Sequence, residues 1–309
     1  MTRVDAHWDT AMFLDSADSL ENLPQAHCDY KRLREYVDIA VMAHFIDYAK
    51  IPKDQHYAAF NKRLELFLKD IDREETGIKI LLSASQVGKN GKYAIISAEG
   101  SEFLGGDTTA LKRLDETFTK GLRLLGLTWN YKTALAGGCG KGEDGPITNI
   151  GEQVINRCNE LGIVLDAAHI CPESLYGLLR ISKKPVTVSH TCCAALGPER
   201  YPRTMSDEQL RAVAEKGGVI GITFVPAFLG GTPGIPRIAE HIRHAVNVCG
   251  IDHVGIGSDF DGTKLPEDIE GLQSLPLVYD RLKQDGFTKT EMEKIIGGNF
   301  CRLLREVLP

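Results

Sequence analysis

The chain has no CxxC pair, although it holds eight cysteines: Cys28, Cys139, Cys158, Cys171, Cys192, Cys193, Cys249 and Cys301. That excludes the common thiolate metal and redox motifs and leaves scattered small hydrophobes, which an intracellular chain keeps reduced. Cys171 and Cys192 follow His169 and His190 closely, which puts them near any site those histidines build, without a ligand role. No run of about 18 apolar residues occurs, so a membrane-spanning helix is not expected. The first residues lack the apolar core of a signal peptide, and Arg305–Pro309 carries no lipid-attachment signal. There is no excess of positive charge. Lys and Arg number 36 against 42 Asp and Glu, and the net charge of −6 speaks against nucleic acid as the main partner. Low-complexity segments, linkers and repeats are also missing. A cytoplasmic protein with neither membrane nor nucleic-acid partner is the expectation, with residues 1–309 as one domain.

What is present is alternation. Eight short apolar runs read as strands: 4–10, 37–48, 92–100, 122–130, 162–169, 185–190, 217–225 and 253–260. Their near-continuous apolar character fits strands buried on both faces of a parallel sheet. The run 37–48 is long enough to be a helix instead. Amphipathic stretches lie between the runs. Residues 54–73 place Phe60, Leu64, Phe67, Leu68 and Ile71 at spacings of three and four. Helices are also expected over 108–121, 150–161, 172–182, 236–248 and 290–307. Pro172 suits a first turn, Gly162 a helix stop and Thr288 a cap, while Ser206 and Gln209 form a capping box. Strand–helix alternation repeated in this way predicts an α/β fold, a (β/α)8 TIM barrel. An open doubly wound sheet would need a Gly-rich phosphate turn after the first strand, and Ala6-His7-Trp8-Asp9 is not one. The Gly-rich stretch 136–145 reads as a flexible loop over the barrel mouth.

In such a barrel the chemistry sits at the C-terminal ends of the strands. The first run ends in His7 and Asp9, the third in Glu99, the fourth in Thr128-Trp129-Asn130, the fifth in His169, the sixth in His190 and the eighth in Asp259. One strand-end histidine alone is ordinarily a satisfied polar residue. Three, with three carboxylates at the same end, point to zinc or a similar divalent ion. Five ligands exceed one tetrahedral ion, so the economical arrangement is two Zn2+, His7 and Asp9 on one, His169 and His190 on the other, Glu99 bridging. A bridged pair can share a hydroxide, lower its pKa and polarise a carbonyl. Asp259 is placed to shuttle a proton, whereas Asp261 reads as part of a tight Asp-Gly turn. Arg203, in the loop after the sixth run, has the fork to clamp a substrate carboxylate. His27, His44 and His56 read as surface residues, and His241 with His244 as packing on an outer helix.

These motifs resemble the membrane (renal) dipeptidase family of zinc peptidases. The carriers are Asp5-Ala-His7-Trp-Asp9, Ser97-Ala-Glu99-Gly100, Leu165-Asp-Ala-Ala-His169, Val188-Ser-His190-Thr191, Pro202-Arg203-Thr-Met-Ser-Asp207-Glu208, the segment 250–262 ending in Gly-Ser-Asp259-Phe-Asp-Gly262, and Gly297-Gly-Asn-Phe300. The resemblance covers essentially the whole chain. It implies a metallo-dependent hydrolase barrel that hydrolyses dipeptides, those with a D-configured C-terminal residue included, through a binuclear zinc-bound hydroxide. It matches His7, Asp9, Glu99, His169 and His190 to the metal ligands with Glu99 as the bridge, Asp259 to the catalytic carboxylate and Arg203 to the residue holding the substrate carboxylate. By analogy it implies a homodimer. One position departs: well-known members have a histidine in a Leu-Thr-His pattern where this chain has Leu127-Thr128-Trp129. Two other readings stand beside it. One is a barrel hydrolase acting on a cyclic amide, lactone or nucleobase amine; the other is a metal-holding member without catalysis.

Overall fold

The computed structural model describes residues 1–198 and 202–309. Among these, nine parallel strands form one sheet: β1 (Val4–Trp8), β2 (Ile39–Phe45), β3 (Ile78–Ile80), β4 (Lys92–Glu99), β5 (Leu122–Gly126), β6 (Val164–Asp166), β7 (Thr187–Thr191), β8 (Val219–Ile222) and β9 (Val254–Ile256). Eight follow each other around the barrel in the order β1-β2-β4-β5-β6-β7-β8-β9, and β3 pairs with β4 outside that path. The eight expected strands are all present, most of them shorter than expected and β7 reaching one residue further, to Thr191, and 37–48 contains a strand. The three-residue β3 was not expected.

The ring closes where β9 meets β1, through a parallel bridge between Trp8 and Phe260. Asp9 N donates to Phe260 O at 2.9 Å and Asp259 N to His7 O at 3.2 Å. The buried Asp5 carboxylate takes the Ser258 N–H at 2.9 Å.

Period-two alternation along the strands builds a ladder from floor to site. On β4, Tyr93 and Ile95 sit in an apolar cluster with Val4, Ile39, Val41, Leu124 and Phe300, Leu303 and Leu304 of the C-terminal helix. Two further steps along the same strand reach Ser97 and Glu99. Two strands break this alternation at their functional ends. The register shifts between Asp5 and Trp8 against β2, and between Val188 and Thr191 against β8. An extra residue of this kind bends a strand and re-aims a side chain; here the stretches concerned carry His7 and His190.

Helices surround the sheet. Asn149–Leu161 stops at Gly162, whose φ of 76° needs glycine. Pro172 opens Pro172–Ile181, and the Ser206–Gln209 capping box forms as expected. Thr288 also caps, with Glu291. The expected single helix over 290–307 is interrupted between Lys294 and Gly298, where Gly297 leaves helical geometry; a Cβ there would lie 2.2 Å from Thr2 O. The helix Leu275–Gln284 was not expected. No helix among the described residues is long and apolar enough to cross a membrane.

The Gly-rich stretch 136–145 is not a loose flap. Gly138 N bonds Glu143 O, Cys139 N bonds His169 O and Gly140 N bonds Asn130 O. Close backbone approach explains its glycines: a Cβ on Gly137 would meet Gly145 N at 2.4 Å.

Candidate metal centre

His7, Asp9, Glu99, His169, His190 and Asp259 converge at the C-terminal mouth of the barrel. The two Glu99 oxygens face different partners. Oε2 lies 3.7 Å from His7 Nε2, while Oε1 lies 2.8 Å from His169 Nε2 and 3.7 Å from His190 Nε2. His7 Nε2 is also 3.4 Å from Asp9 Oδ2 and 4.0 Å from Asp259 Oδ1. Ligand atoms of His7, Glu99 and His190 lie within 4.8 Å of one another, and so do those of His7, Asp9 and Asp259. His7 belongs to both groups.

Orphaned atoms show that this donor set suits cations. His7 Nε2 and Asp9 Oδ1 are buried without a hydrogen-bond partner. His169 Nε2 and His190 Nε2 face each other at 3.0 Å. Each imidazole is held from behind at Nδ1: His169 by Asn130 Oδ1 at 2.9 Å, His190 by Ser189 Oγ at 2.9 Å, and His7 by the same Oγ at 3.4 Å. With Nδ1–H donating outward, all three Nε2 lone pairs point into the cluster, the tautomer a metal ligand needs. Deeper carboxylates steady the frame, Asp166 Oδ1 accepting from Ser189 N at 2.8 Å.

Backbone strain is concentrated at the same ends. His169, Asp259 and Asp261 adopt left-handed φ values of 63°, 64° and 69°. Such conformations persist where the surroundings hold them. Asp261 is a turn residue, as expected: it accepts from Thr10 Oγ1 at 2.6 Å and from His27 N at 2.6 Å, while its own N–H donates to His27 Nδ1 at 2.9 Å. Gly262 is required beside it, because a Cβ would fall 2.1 Å from Asp9 Oδ2 and 2.4 Å from Asp259 Oδ1.

The electrostatics follow from burying three carboxylates with three imidazoles. Burial opposes a charge on His7, but Glu99 and Asp9 outweigh it and hold the imidazole well above its usual range. Burial would raise Glu99, yet His7 and His169 pull it well below. Burial and then Arg203 lower His169 to about 4. Asp259 is pushed well up, first by burial and then, against the pull of His7, by Asp9 and Glu99. A divalent cation in the cluster inverts this logic by favouring every deprotonated ligand.

Arg203 is 8% exposed. It donates weakly to His190 O at 3.4 Å, its ring-facing side lies 5.3 Å from the Phe228 centroid, and its Nε has no partner. It lines a cavity of about 360 Å3 together with Asp9, Glu99, Asp259, Phe45 and Trp129. A neighbouring cavity of about 570 Å3, under the 139–144 loop, shares His169 and Arg203.

Several expectations need correction. His44 is fully buried, its Nδ1 bonded to Met42 O at 3.1 Å and its ring edge-on to Phe67 at 5.0 Å. His56 is buried too, against Ile51 O at 2.9 Å. His27 is a structural partner of Asp261 rather than a free surface side chain. His241 and His244 do pack: the first bonds Leu229 O and Cys193 N, the second Asp207. Cys171 caps a helix and Cys192 bonds Thr223 O; neither joins the cluster. Asn130, Ser189, Asp166 and His27 were missed as supporting residues. Only Asn130 had a signal, its place at a strand end.

A family model described as membrane dipeptidase, peptidase family M19, matches residues 1–308. The chain belongs to this family. The M19 metallopeptidase dipeptidase AC is 25% identical, with a TM-score of 0.89 over 100% of this chain and 99% of its own. A metallopeptidase from Rhodobacter sphaeroides, liganded with a phosphinate mimic of L-Ala-D-Ala, superposes with a TM-score of 0.88 at 24% identity, covering 99% of each chain. An uncharacterized dipeptidase of Schizosaccharomyces pombe is 30% identical over 222 residues, 70% of this chain and 53% of that protein. Membership makes the chain a hydrolase of the dipeptidase class on a parallel, nearly closed metallohydrolase barrel.

Proposed function

We propose that this M19 member is a zinc-dependent dipeptidase, with His7, Asp9, Glu99, His169 and His190 holding two Zn2+ and Glu99 shared between them. The observation that carries the reading is the split of Glu99, one oxygen toward His7 and the other toward His169 and His190. Imidazole and carboxylate donors suit zinc. Ions held there would polarise the scissile carbonyl and acidify a water molecule.

The chain's own residues supply the rest. Arg203 presents a desolvated fork to the substrate's C-terminal carboxylate, a pairing that is strongest away from water. Asp259, 4.0 Å from His7 Nε2, takes a proton at its carboxylate oxygen and passes it to the leaving amine. Asn130 and Ser189 keep the imidazoles oriented. The cavity of about 360 Å3 that holds Arg203 and Asp259 is of the size a dipeptide needs. A D-configured C-terminal residue is within the proposed range. We further propose a single-domain cytoplasmic protein; its eight cysteines are all free, seven of them buried.

Metal-replete protein is expected to cleave members of a stereochemically varied dipeptide panel, and Asp259→Asn to lower kcat by about 10²-fold or more. Turnover of lactones or lactams with none of dipeptides would overturn the assignment. Full activity in Asp259→Asn would remove that residue from the reaction.

A further inference from the structure

An aromatic wall stands across the mouth from the buried cation. In the eight-strand ring, β2 and β7 are four places apart, and so are β5 and β9. Phe45 ends β2 and Arg203 follows β7; Trp129 follows β5 and Asp259 follows β9. The Phe45 and Trp129 rings lie 5.0 Å apart at 50°, and Tyr131 extends the wall edge-on to Trp129 at 5.4 Å. Tyr131 and Met12 remain 47% and 38% exposed, so the wall opens to the mouth. Phe45, Trp129 and Met12 line the same cavity as Asp9, Glu99, Asp259 and Arg203.

From this placement we infer that the enzyme prefers dipeptides whose N-terminal residue carries a bulky apolar or aromatic side chain, seated against Phe45 and Trp129. The inference rests on the dipeptidase reading above. Arg203 is the one Lys or Arg among the described residues lining that cavity, and its Nε lacks a partner. A zwitterionic dipeptide therefore places its carboxylate on the β7 side. The scissile carbonyl then falls beside Glu99 and the histidines, and the N-terminal residue extends toward β2 and β5. Its ammonium lies in reach of the carboxylates Asp9 and Asp259, which leaves its side chain to the two rings. Offset or tilted aromatic contacts reward a ring there beyond the area it buries. The C-terminal side chain lies on the other side, toward the larger cavity that shares Arg203 and His169 and includes Lys141, Asp144 and Gln209. The two positions of the dipeptide therefore have different surroundings.

The test compares Phe-Ala, Ala-Phe and Ala-Ala with the metal-replete native protein. We expect kcat/KM for Phe-Ala to exceed both others by about tenfold or more, and Phe45→Ala to cut the Phe-Ala to Ala-Ala ratio at least fivefold. Phe45→Leu, a milder change of volume, should cut it less and serves if the alanine variant does not fold. Binding gives an independent readout. Of the two tryptophans, Trp129 lines the cavity and Trp8 does not, so ligand-dependent emission that is lost in Trp129→Phe reports that ring. In Asp259→Asn, Phe-Ala should change that emission at lower concentration than Ala-Phe. Equal rates for Phe-Ala and Ala-Ala, or a preference for Ala-Phe, would overturn the inference while leaving the dipeptidase reading intact. Absence of all dipeptide turnover would overturn that reading instead.

Discussion

His27 coordinates nothing in the cluster, yet it holds the turn that presents Asp259. Its backbone N–H and its Nδ1 grip Asp261 from both sides, and Asp261 is two residues from the proposed catalytic carboxylate, Asp259. The Nδ1 atom must accept, so an asparagine Oδ1 can replace it and a methyl group cannot. His27→Ala is expected to lower kcat about tenfold by loosening the turn, with His27→Asn recovering most of the loss; equal defects in both would deny the Nδ1 contact a role. The sequence places His27 and Asp261 234 positions apart, so no local pattern joins them. The contacts of Ser189 to His7 and of Asn130 to His169 escape for the same reason, since they span 182 and 39 positions. His44 gives a second residue-scale test. Burial lowers its pKa from 6.5 to about 4. The unfolded chain therefore binds a proton that the folded chain refuses. Stability is complete above about pH 6.5 and falls by up to about 3 kcal/mol as pH drops toward 4. Denaturant melts across that window should show a flatter pH dependence in His44→Leu than in the native chain.

At the scale of elements, glycines set how closely strands approach. A Cβ on Gly257 would lie 1.7 Å from Ser189 O, and one on Gly221 would lie 2.0 Å from the same oxygen. Ser189 cannot retreat, because it braces His7 and His190. Gly257→Ala should therefore cost about 3 kcal/mol in urea unfolding and reduce metal content together; loss of stability with full metal occupancy would separate the two. The strands themselves were legible in the sequence, because two-sided burial leaves continuous apolar runs. Strand β3 was not, since it is three residues long with Lys79 exposed. Bulges at β1 and β7 left no trace either. His7 and Asp9 looked like same-face neighbours of a regular strand, whereas the strand is irregular there and the two converge through that irregularity.

At the scale of the molecule, the mouth gathers Asp9, Glu99 and Asp259 in one dry place, and cations offset their mutual repulsion. Without them protons take over: His7 and Asp259 are both held toward their protonated forms. Binding a cation must displace those protons, so affinity weakens as pH falls. A chelator is expected to lower the melting temperature more at pH 8 than at pH 6, the bound state being worth about 2.7 kcal/mol at a hundredfold excess over Kd. An equal shift at both values would argue against these residues as the ligands. The proposed ligands come from reading every member as the end of a strand-like run, and the parallel barrel brings those side chains together. The support behind His7 and His169 was not legible, because it comes from Ser189 and Asn130, far away in the sequence.

The seam of the barrel carries one more implication. The bonds that join β9 to β1 are made by His7, Asp9, Asp259 and Phe260, the earliest and latest pieces of the site to leave the ribosome. A nascent chain has all five proposed metal ligands by residue 190, but lacks Asp259, the proposed proton carrier, and its last strand until the closing turn emerges. With that assignment, peptide-bond cleavage would require the finished ring.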